Sequence, residues 1–230
     1  MIKHYIDNVK KVILVASGKG GVGKSTISVA LAEILQKQGN KVGIVDADIY
    51  GPSIPTMLGV SEKPELLDKK FIPIKHKDFQ IMSMGFLVPE DGPVAWRGPM
   101  ATKSIYQILS ATLWEDLDYL IIDMPPGTGD IHLSILENYN IDEVYMVTSP
   151  SLVSLKDVER AIALYKKFEL NIVGLVENMV SDMFPGNAAE VLSKKYDIPV
   201  IGRVPLKRQI AESGDKGDGI GEFVEEYLVL

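Results

Sequence analysis

Residues 18–26 read GKGGVGKST and lie between two patterns of different period. An apolar run, VILVA at residues 12–16, precedes them, and a helical pattern at residues 25–38 follows. Strand, Gly-x-x-x-x-Gly-Lys-Ser loop and helix, in this order, are typical of a phosphate-binding P-loop. Glycines let backbone N–H groups turn inward, and the N-terminus of the helix adds partial positive charge. The structural alternative is a tight glycine-rich turn without a ligand, and the complete pattern in this context argues against it.

The loop residues have distinct expected contacts. The Lys24 ammonium is expected to bridge the β- and γ-phosphates of a nucleotide, and the Ser25 hydroxyl to bind Mg²⁺. The residues expected to contact the nucleotide in this loop are Gly18, Lys19, Gly20, Gly21, Val22, Gly23, Lys24, Ser25 and Thr26. A phosphate-cradling loop requires one lysine, so Lys19 calls for a separate explanation.

Two further strand ends supply carboxylates. VDADIYG places Asp46 at the end of one apolar run and Asp48 just beyond it, and IIDMPPGTGD places Asp123 after another. Ligands of parallel sheets bind beyond the carboxyl ends of the strands. We expect Asp123 to hold Mg²⁺ through water, and Asp48 to act at the same metal site and to orient the attacking water. Taken alone, each carboxylate is more typical of a turn or of a helix N-cap than of a catalytic site.

The loop after Asp123 is predicted to respond to the nucleotide. Gly127 is expected to sense the γ-phosphate through its backbone, and Gly127 and Gly129 to move on hydrolysis. Pro125 and Pro126 restrict that motion to the glycines.

The expected base is adenine. Guanine-specific relatives usually carry Asn-Lys-x-Asp after a late strand, whereas LVENMV offers Asn178 without the following lysine. The Asn178 amide has the donor and the acceptor that the adenine edge requires. We interpret DKGD, residues 215–218, as a loop after a helix-like segment. Pro205, at the end of the last predicted strand, is also assigned to the nucleotide site.

The pattern of the whole chain predicts an α/β fold of three layers, with a mainly parallel sheet flanked by helices. Predicted strands are residues 12–16, 42–46, 119–123, 144–148, 172–178 and 200–205, with a weaker one at 79–84. Predicted helices are residues 25–38, 102–113, 154–168 and 188–196. Residues 61–77 are charged and irregular, which indicates an excursion over the surface. The length of 230 residues fits one domain spanning residues 1–230.

Composition narrows the classes of function. A formal charge of −7 argues against a dedicated nucleic-acid surface or a binder of anionic membranes. The sequence has no cysteine, so disulfides, thiolate metal sites and cysteine nucleophiles are excluded. The N-terminal residues show no apolar signal core, and we expect a cytoplasmic protein without nucleic-acid or membrane partners.

Seven segments together resemble the Mrp/ApbC group of P-loop ATPases, which carry iron–sulfur clusters and belong with MinD and ParA to the deviant Walker-A class. They are ASGKGGVGKST, VDADIYGPSIP, WRGPM, DYLIIDMPPGTGD, VTSP, VENM and IPVIGRVPL. The resemblance runs from about residue 11 to 219 and implies a P-loop NTPase fold, ATP with Mg²⁺, slow hydrolysis and a homodimer. In that class the additional lysine reaches the partner's phosphates, so Lys19 resembles an arginine finger supplied in trans. A solvated loop lysine is the alternative.

The family pattern breaks after VENM. Mrp-like carriers usually place Cys-x-x-Cys there, and two subunits share the cluster. Here the stretch is VENMVSDMFPGNAAEVLSKKYDIPV, without a thiol. The thioethers of Met179 and Met183 are weak substitutes for thiolates, and we interpret both residues as packing or partner-facing. Two functions remain open. The chain either serves iron–sulfur assembly, with the cluster held by a partner or with the chain as an ATP-driven scaffold, or it is an ATP-switched adaptor for another cargo.

The remaining features have structural interpretations. GIGEFVEEYLVL, residues 219–230, predicts a helix packed on its own domain or on a partner, because its glutamates would be repelled by anionic lipid. A MinD-like membrane role and a ParA-like DNA role are therefore weaker alternatives. His4, His76 and His132 show no paired metal spacing and are interpreted as structural. Arg97 of WRGPM is expected to contact the nucleotide, a partner or a carboxylate such as Asp91, or to form a surface ion pair.

Overall fold

Strands and helices alternate along most of the chain in the computed structural model, which describes residues 3–87, 98–183 and 186–229. The strands are β1 Val9–Ser17, β2 Val42–Asp46, β3 Leu66–Leu67, β4 Lys70–Phe71, β5 Ile74–His76, β6 Phe79–Ser83, β7 Leu117–Asp123, β8 Glu143–Thr148, β9 Ile172–Val180 and β10 Val200–Pro205. The helices are α1 Lys24–Lys37, α2 Ile54–Leu58, α3 Gly98–Ser110, α4 Asp130–Asn138, α5 Leu155–Lys167, α6 Ala188–Tyr196, α7 Arg208–Lys216 and α8 Gly221–Val224. Arg97 and Asp91 lie outside the described residues.

The described strands form an eight-stranded sheet in the order β10-β9-β8-β1-β7-β2-β6-β5, and a separate hairpin of β3 and β4. Within the large sheet β5 pairs antiparallel with β6, and the other pairs are parallel. The chain leaves β1 through α1 toward β2 on one side, and β8 lies on the other side of β1. Such a reversal of strand order opens a crevice at the carboxyl edge, and the loop after β1 lies in it.

Helices cover both faces of the sheet, which gives the predicted three layers. Along β1 the side chains alternate, so Leu14 belongs to one core cluster and Ile13 and Val15 to the other. The cluster of Leu14 packs under α3, α4, α5 and α6, and the other under α1, α2, α7 and α8. The predicted α/β architecture is confirmed.

Several predicted bounds agree with the structure. Residues 42–46, 200–205 and 188–196 coincide with β2, β10 and α6. The predicted strand at 12–16 is longer at both ends, because Val9 and Lys11 pair with β7 and Ser17 pairs with β8.

Both predicted bounds of the helix at residues 102–113 are wrong. Helix α3 begins at Gly98 and ends at Ser110. The helix ends there because the backbone groups that follow it form hydrogen bonds with Phe71. Phe71 N donates to Ala111 O at 2.7 Å, and Leu113 N donates to Phe71 O at 2.8 Å. Residues 61–77 are also less irregular than expected, since they contain the hairpin and the edge strand β5.

The C-terminal region differs from prediction in detail. Asp215 and Lys216 belong to α7, and Gly217 ends that helix with φ 72°, so only the second half of DKGD is a turn. The described part of the tail, residues 219–229, forms only the short helix α8 and a 3-10 turn at Glu225–Tyr227, because Leu228 then pairs with Gly202 at the edge of the sheet. Buried Val224 confirms that the tail packs on its own domain.

Candidate functional site

The loop between β1 and α1 owes its shape to glycine at two kinds of position. Gly21 and Gly23 have φ of 78° and 77°, the left-handed region that side chains rarely adopt. Gly18 has ordinary φ, but a Cβ there would lie 2.3 Å from the backbone nitrogen of Val158 in α5. The loop is therefore held close to α5 while its backbone turns at the start of α1.

Asp123, at the end of β7, binds three side chains of α1. The Lys24 ammonium lies 2.7 Å from Asp123 Oδ1. The Ser25 hydroxyl donates to Oδ2 at 2.6 Å, and the Ser28 hydroxyl donates to Oδ1, also at 2.6 Å. Both Asp123 and Ser28 are fully buried, and Lys24 is nearly so. The predicted lysine, serine and aspartate thus meet at one point, where their charges and hydrogen bonds compensate each other.

Ser28 was not singled out by the sequence. It lies three residues after Ser25 and therefore on the same side of α1. A small polar residue on the buried, otherwise apolar face of this helix is the signal that indicates it.

The carboxyl group of Asp46 is also fully buried. It accepts hydrogen bonds from Asp48 N at 3.1 Å, Ile54 N at 3.2 Å and Ser83 Oγ at 3.2 Å. Burial, and then the negative charge of neighbouring Asp123, raise its pKa to about 7. Asp48 Oδ1 accepts the backbone N–H of Tyr50 and of Gly51, which folds the loop after β2 on itself.

A cavity of about 500 Å³, within the usual size of small-molecule sites, lies in front of the glycine loop. The predicted site residues that line it are Lys19, Gly20, Gly21, Gly23, Lys24, Ser25, Thr26 and Asp48. Lining residues that the sequence did not indicate include Thr56 and Met57 of α2 and Ile210, Ala211, Gly214 and Asp215 of α7. They come from α2, which was not predicted, and from α7, which the sequence indicated only as a helix-like segment before DKGD.

Six of the predicted site residues lie outside the lining of the cavity. Gly18, Val22, Asp123, Gly127, Asn178 and Pro205 are not among the cavity's lining residues. The Asn178 amide nitrogen donates to Val22 O at 2.9 Å, and a Cβ at Gly23 would lie 2.1 Å from that nitrogen. Pro205 pairs with Val180 at the end of β10. Contact of Asn178 and Pro205 with adenine stays a prediction.

The loop after β7 is held from two sides. Gly127 N donates to Ser17 O at 3.0 Å, and Pro126 rather than Gly127 lines the cavity. His132 is fully buried; its Nε2 donates to Pro125 O at 2.8 Å, and its Nδ1 therefore accepts from Tyr165 Oη at 2.8 Å. Burial lowers the pKa of His132 to about 4, so the ring is neutral. The structural interpretation of His132 is confirmed.

Lys19 differs from Lys24 in that its ammonium has no partner within residues 3–87, 98–183 and 186–229. Its side chain is half-buried at the rim of the cavity. Among the residues that the structure describes, no acceptor lies within bonding distance of the Lys19 ammonium; its backbone oxygen accepts from Ser17 Oγ at 3.0 Å.

The oxygens of Ser25 and Asp123 fit Mg²⁺, which prefers hard oxygen ligands and is usually bound by one or two protein groups together with substrate phosphates.

No cluster of three or more histidine, cysteine or acidic side chains suited to a metal occurs within residues 3–87, 98–183 and 186–229. In the same ranges, no helix has the length and apolar character needed to cross a membrane. Met183 is 82% exposed, whereas the methyl group of Met179 lies near Gly23.

The sequence matches a family model described as ParA, NUBPL iron-transfer P-loop NTPase, over residues 8–227. A protein of Rickettsia felis named iron–sulfur cluster carrier protein is 58% identical over 230 residues, which covers 98% of this chain and 72% of the relative. The protein of that name from Escherichia coli K12 is 45% identical, covering 92% of this chain and 61% of the relative.

Among solved structures, a nucleotide-binding protein of Archaeoglobus fulgidus in complex with ADP, with cobalt, superposes with a TM-score of 0.82. It is 32% identical, and the match covers 98% of this chain and 95% of that one. The septum site-determining protein MinD of Pyrococcus horikoshii, complexed with Mg-ADP, shares the fold with a TM-score of 0.70, 23% identity and coverages of 94% and 89%. The resemblance expected from the motifs is confirmed: the chain belongs to the ParA/NUBPL family of iron-transfer P-loop NTPases.

Proposed function

We propose that the chain binds and hydrolyses Mg-ATP as a dimeric switch that serves iron–sulfur cluster carriage. The observation that carries the proposal is the buried group of Lys24, Ser25 and Asp123 directly behind a glycine loop that opens on a cavity. The Lys24 ammonium and the Asp123 carboxylate neutralise each other and can each take a new partner when a ligand binds. The ammonium would then bind phosphate, and the carboxylate would bind a metal-bound water.

Phosphate binding is assigned to the loop of residues 18–26. Its backbone N–H groups and the start of α1 attract the phosphate oxygens, and Lys24 leaves Asp123 to bridge the β- and γ-phosphates. Ser25 and Asp123, with Asp48 close to the same site, would hold Mg²⁺, which neutralises charge on the phosphates when it is bound. Ser28 keeps Asp123 in place while Lys24 and Ser25 change partners.

Hydrolysis is assigned to Asp48 and Lys19. Asp48 lines the cavity and carries a carboxylate that can orient a water for in-line attack. Lys19 has an ammonium without a partner among the described residues, at the rim of that cavity. In a dimer with the two cavities facing each other, this ammonium would stabilise charge on the partner's transferring phosphoryl group.

Base recognition is assigned to the carboxyl ends of β9 and β10. Asn178 keeps one amide proton and its carbonyl oxygen for the adenine edge while its other amide proton binds Val22. Pro205 lies at the neighbouring strand end. Gly127 would sense the γ-phosphate after giving up its hydrogen bond to Ser17.

The cargo is inferred from the relatives, which are named iron–sulfur cluster carrier proteins. Clusters are held overwhelmingly by cysteine thiolates, and this chain has none. We therefore assign the cluster to a thiol-bearing partner, with this chain as the ATP-driven component. The absence of cysteine also favours a second candidate, an ATP-switched adaptor for a cargo other than a cluster.

Three measurements test the proposal. ATP turnover should occur with Mg²⁺ and be lost in Lys24→Ala but retained in Lys10→Ala, a matched change at an exposed lysine of the same strand–loop–helix unit. Absence of turnover in the unaltered protein would overturn the proposed hydrolysis.

After anaerobic treatment with iron and sulfide, the purified chain should carry no stoichiometric iron, whereas a stable cluster would contradict our assignment of the cluster to a partner. Recovery of an iron–sulfur assembly protein with ATP but not with ADP would favour the first candidate over the second.

A further inference from the structure

Asp46 has no role in the chemistry assigned above, yet it is a fully buried carboxyl group beside the site. It ends β2, between Asp123 of β7 and Ser83 of β6, which are its register partners on either side. It does not line the cavity. Burying an acid next to a second acid costs free energy, and an apolar residue would fill a purely structural position without that cost.

The two oxygens of Asp46 reach three different segments. Oδ1 accepts Asp48 N at 3.1 Å, at the beginning of the loop after β2. Oδ2 accepts Ile54 N at 3.2 Å, where that loop ends and α2 begins. Oδ2 also accepts the Ser83 hydroxyl at 3.2 Å, and the same hydroxyl accepts Gly85 N at 2.9 Å in the turn after β6.

The loop between these two attachments forms a wall of the cavity. Asp48, Gly51, Pro52 and Ser53 all line it. Asp48 Oδ1 binds the N–H groups of Tyr50 and Gly51, so the loop is folded on itself and held to the sheet at both ends by one carboxyl group. The position of the Asp48 side chain therefore depends on Asp46.

We propose that Asp46 is a positioning residue for hydrolysis: its single carboxyl group fixes both ends of the loop that carries Asp48, and so sets where the Asp48 carboxylate stands in the cavity. The inference rests on the proposed role of Asp48. Phosphate binding uses a different segment, residues 18–26, with which Asp46 forms no hydrogen bond in the part of the chain that the structure describes; its link to that segment is the electrostatic attraction of the Lys24 ammonium. Loss of Asp46 thus separates catalysis from binding.

Asp46→Asn is the variant that tests this inference. Asparagine has the same shape but only one side-chain oxygen, so it cannot accept from both Asp48 N and Ile54 N. Because a displacement of the reacting groups by 1 Å costs up to about 100-fold in rate, we expect kcat for ATP to fall by about 10-fold or more. The dissociation constant for ATP should change by less than about threefold, since the phosphate loop is intact. Asp48→Asn should lower kcat similarly, and Asp118→Asn, at the opposite end of β7, should not.

Backbone amide hydrogen exchange gives a readout that does not need turnover. Exchange in residues 46–58 should accelerate in Asp46→Asn, while exchange in residues 18–37 stays as in the unaltered protein. If Asp46→Asn does not fold, Ser83→Ala removes one of the three donors and should lower kcat a few-fold at unchanged ATP affinity. Unchanged kcat, or parallel loss of ATP affinity and thermal stability, would overturn the inference. If the unaltered protein shows no turnover, the proposed hydrolysis is overturned instead. Hydrogen exchange would then still test whether Asp46 fixes the loop that carries Asp48.

Discussion

The Lys24 ammonium lies 2.7 Å from Asp123 Oδ1 in the interior of the protein. The pair joins the first residue of α1 to the last residue of β7. Each group compensates the other's burial, so neither leaves unless a new partner replaces it. A nucleotide phosphate for Lys24 and a hydrated metal ion for Asp123 would be such replacements, supplied together by Mg-ATP.

Lys24→Ala should weaken nucleotide binding. The variant loses the charge-assisted hydrogen bonds of the ammonium to two phosphates, about 3 kcal/mol, which corresponds to a fall in ATP affinity of about 100-fold. Equilibrium binding of a fluorescent ATP analogue measures it, with Lys10→Ala as the control. Equal affinity in the two variants would mean that Lys24 is only the counter-ion of Asp123.

Ser28→Ala should weaken the response to Mg²⁺. Once Lys24 and Ser25 have moved to the ligand, Ser28 is the remaining α1 side chain bonded to Asp123. Losing one hydrogen bond to a charged group costs about 1.5 kcal/mol, so half-maximal turnover should need about 10-fold more Mg²⁺. Ser110→Ala is a matched control, because the hydroxyls of Ser28 and Ser110 each lie within hydrogen-bond distance of the backbone oxygen four residues earlier, but Ser110 bonds to no carboxylate among the described residues. The same Mg²⁺ dependence in both variants would contradict this role.

His132 should make the protein less stable in acid. Its folded pKa is about 4, below the ordinary value of 6.5, so between these values the unfolded chain binds the proton and the folded one does not. The free energy of unfolding should therefore fall by about 3 kcal/mol from this group as pH decreases from 6.5 to 4. Above about pH 7.5, one unit beyond the ordinary value of 6.5, the group contributes almost no pH dependence.

Denaturant unfolding of His132→Gln across this pH range isolates the effect. Asp46, whose pKa is raised to about 7, titrates in both proteins and cancels in the difference. Lys24 and Tyr165 face His132 in both proteins as well. A pH slope identical to that of the unaltered protein would show that His132 is not held neutral.

Lys19→Ala should bind ATP with nearly unchanged affinity in the monomer but lose ATP-dependent dimerisation and turnover. Removing a charge aimed at the transferring phosphoryl group is expected to cost about 1000-fold in kcat. Light scattering with and without ATP, beside turnover, measures both properties. A variant that still dimerises and hydrolyses would leave Lys19 as a solvated loop lysine.

The parts predicted well from the sequence share a physical cause. Strands β2 and β10 read as apolar runs because helices cover both faces of the sheet, and the P-loop reads clearly because its glycines are required by local backbone geometry. Helix α2 was missed because it has only five residues, and α7 was indicated only as a helix-like segment because it buries just Ile210 and Gly214. Helix α4 was missed although it has nine residues, as many as the predicted α6. The cavity wall that α2 and α7 form was missed with them.

Contacts across strands were beyond sequence reasoning for a different reason. The bonds of Ser28 to Asp123, of Asp46 to Ser83 and of Asn178 to Val22 join residues 95, 37 and 156 positions apart. Each depends on strand order, which brings distant strand ends together and which no local pattern contains. The sequence indicated that these strand ends carry polar groups, but not which of them bond to each other.

The dimeric switch is tested most directly by measuring ATP turnover per protein molecule over a wide range of protein concentration. If two copies complete each other's sites through Lys19, specific activity should rise with protein concentration and level off when the dimer is saturated. Lys19→Ala and Lys24→Ala, each inactive alone, should regain turnover when mixed, because the Lys19 of the second variant completes the ATP site of the first. Specific activity independent of protein concentration, and no turnover in the mixture, would contradict the account.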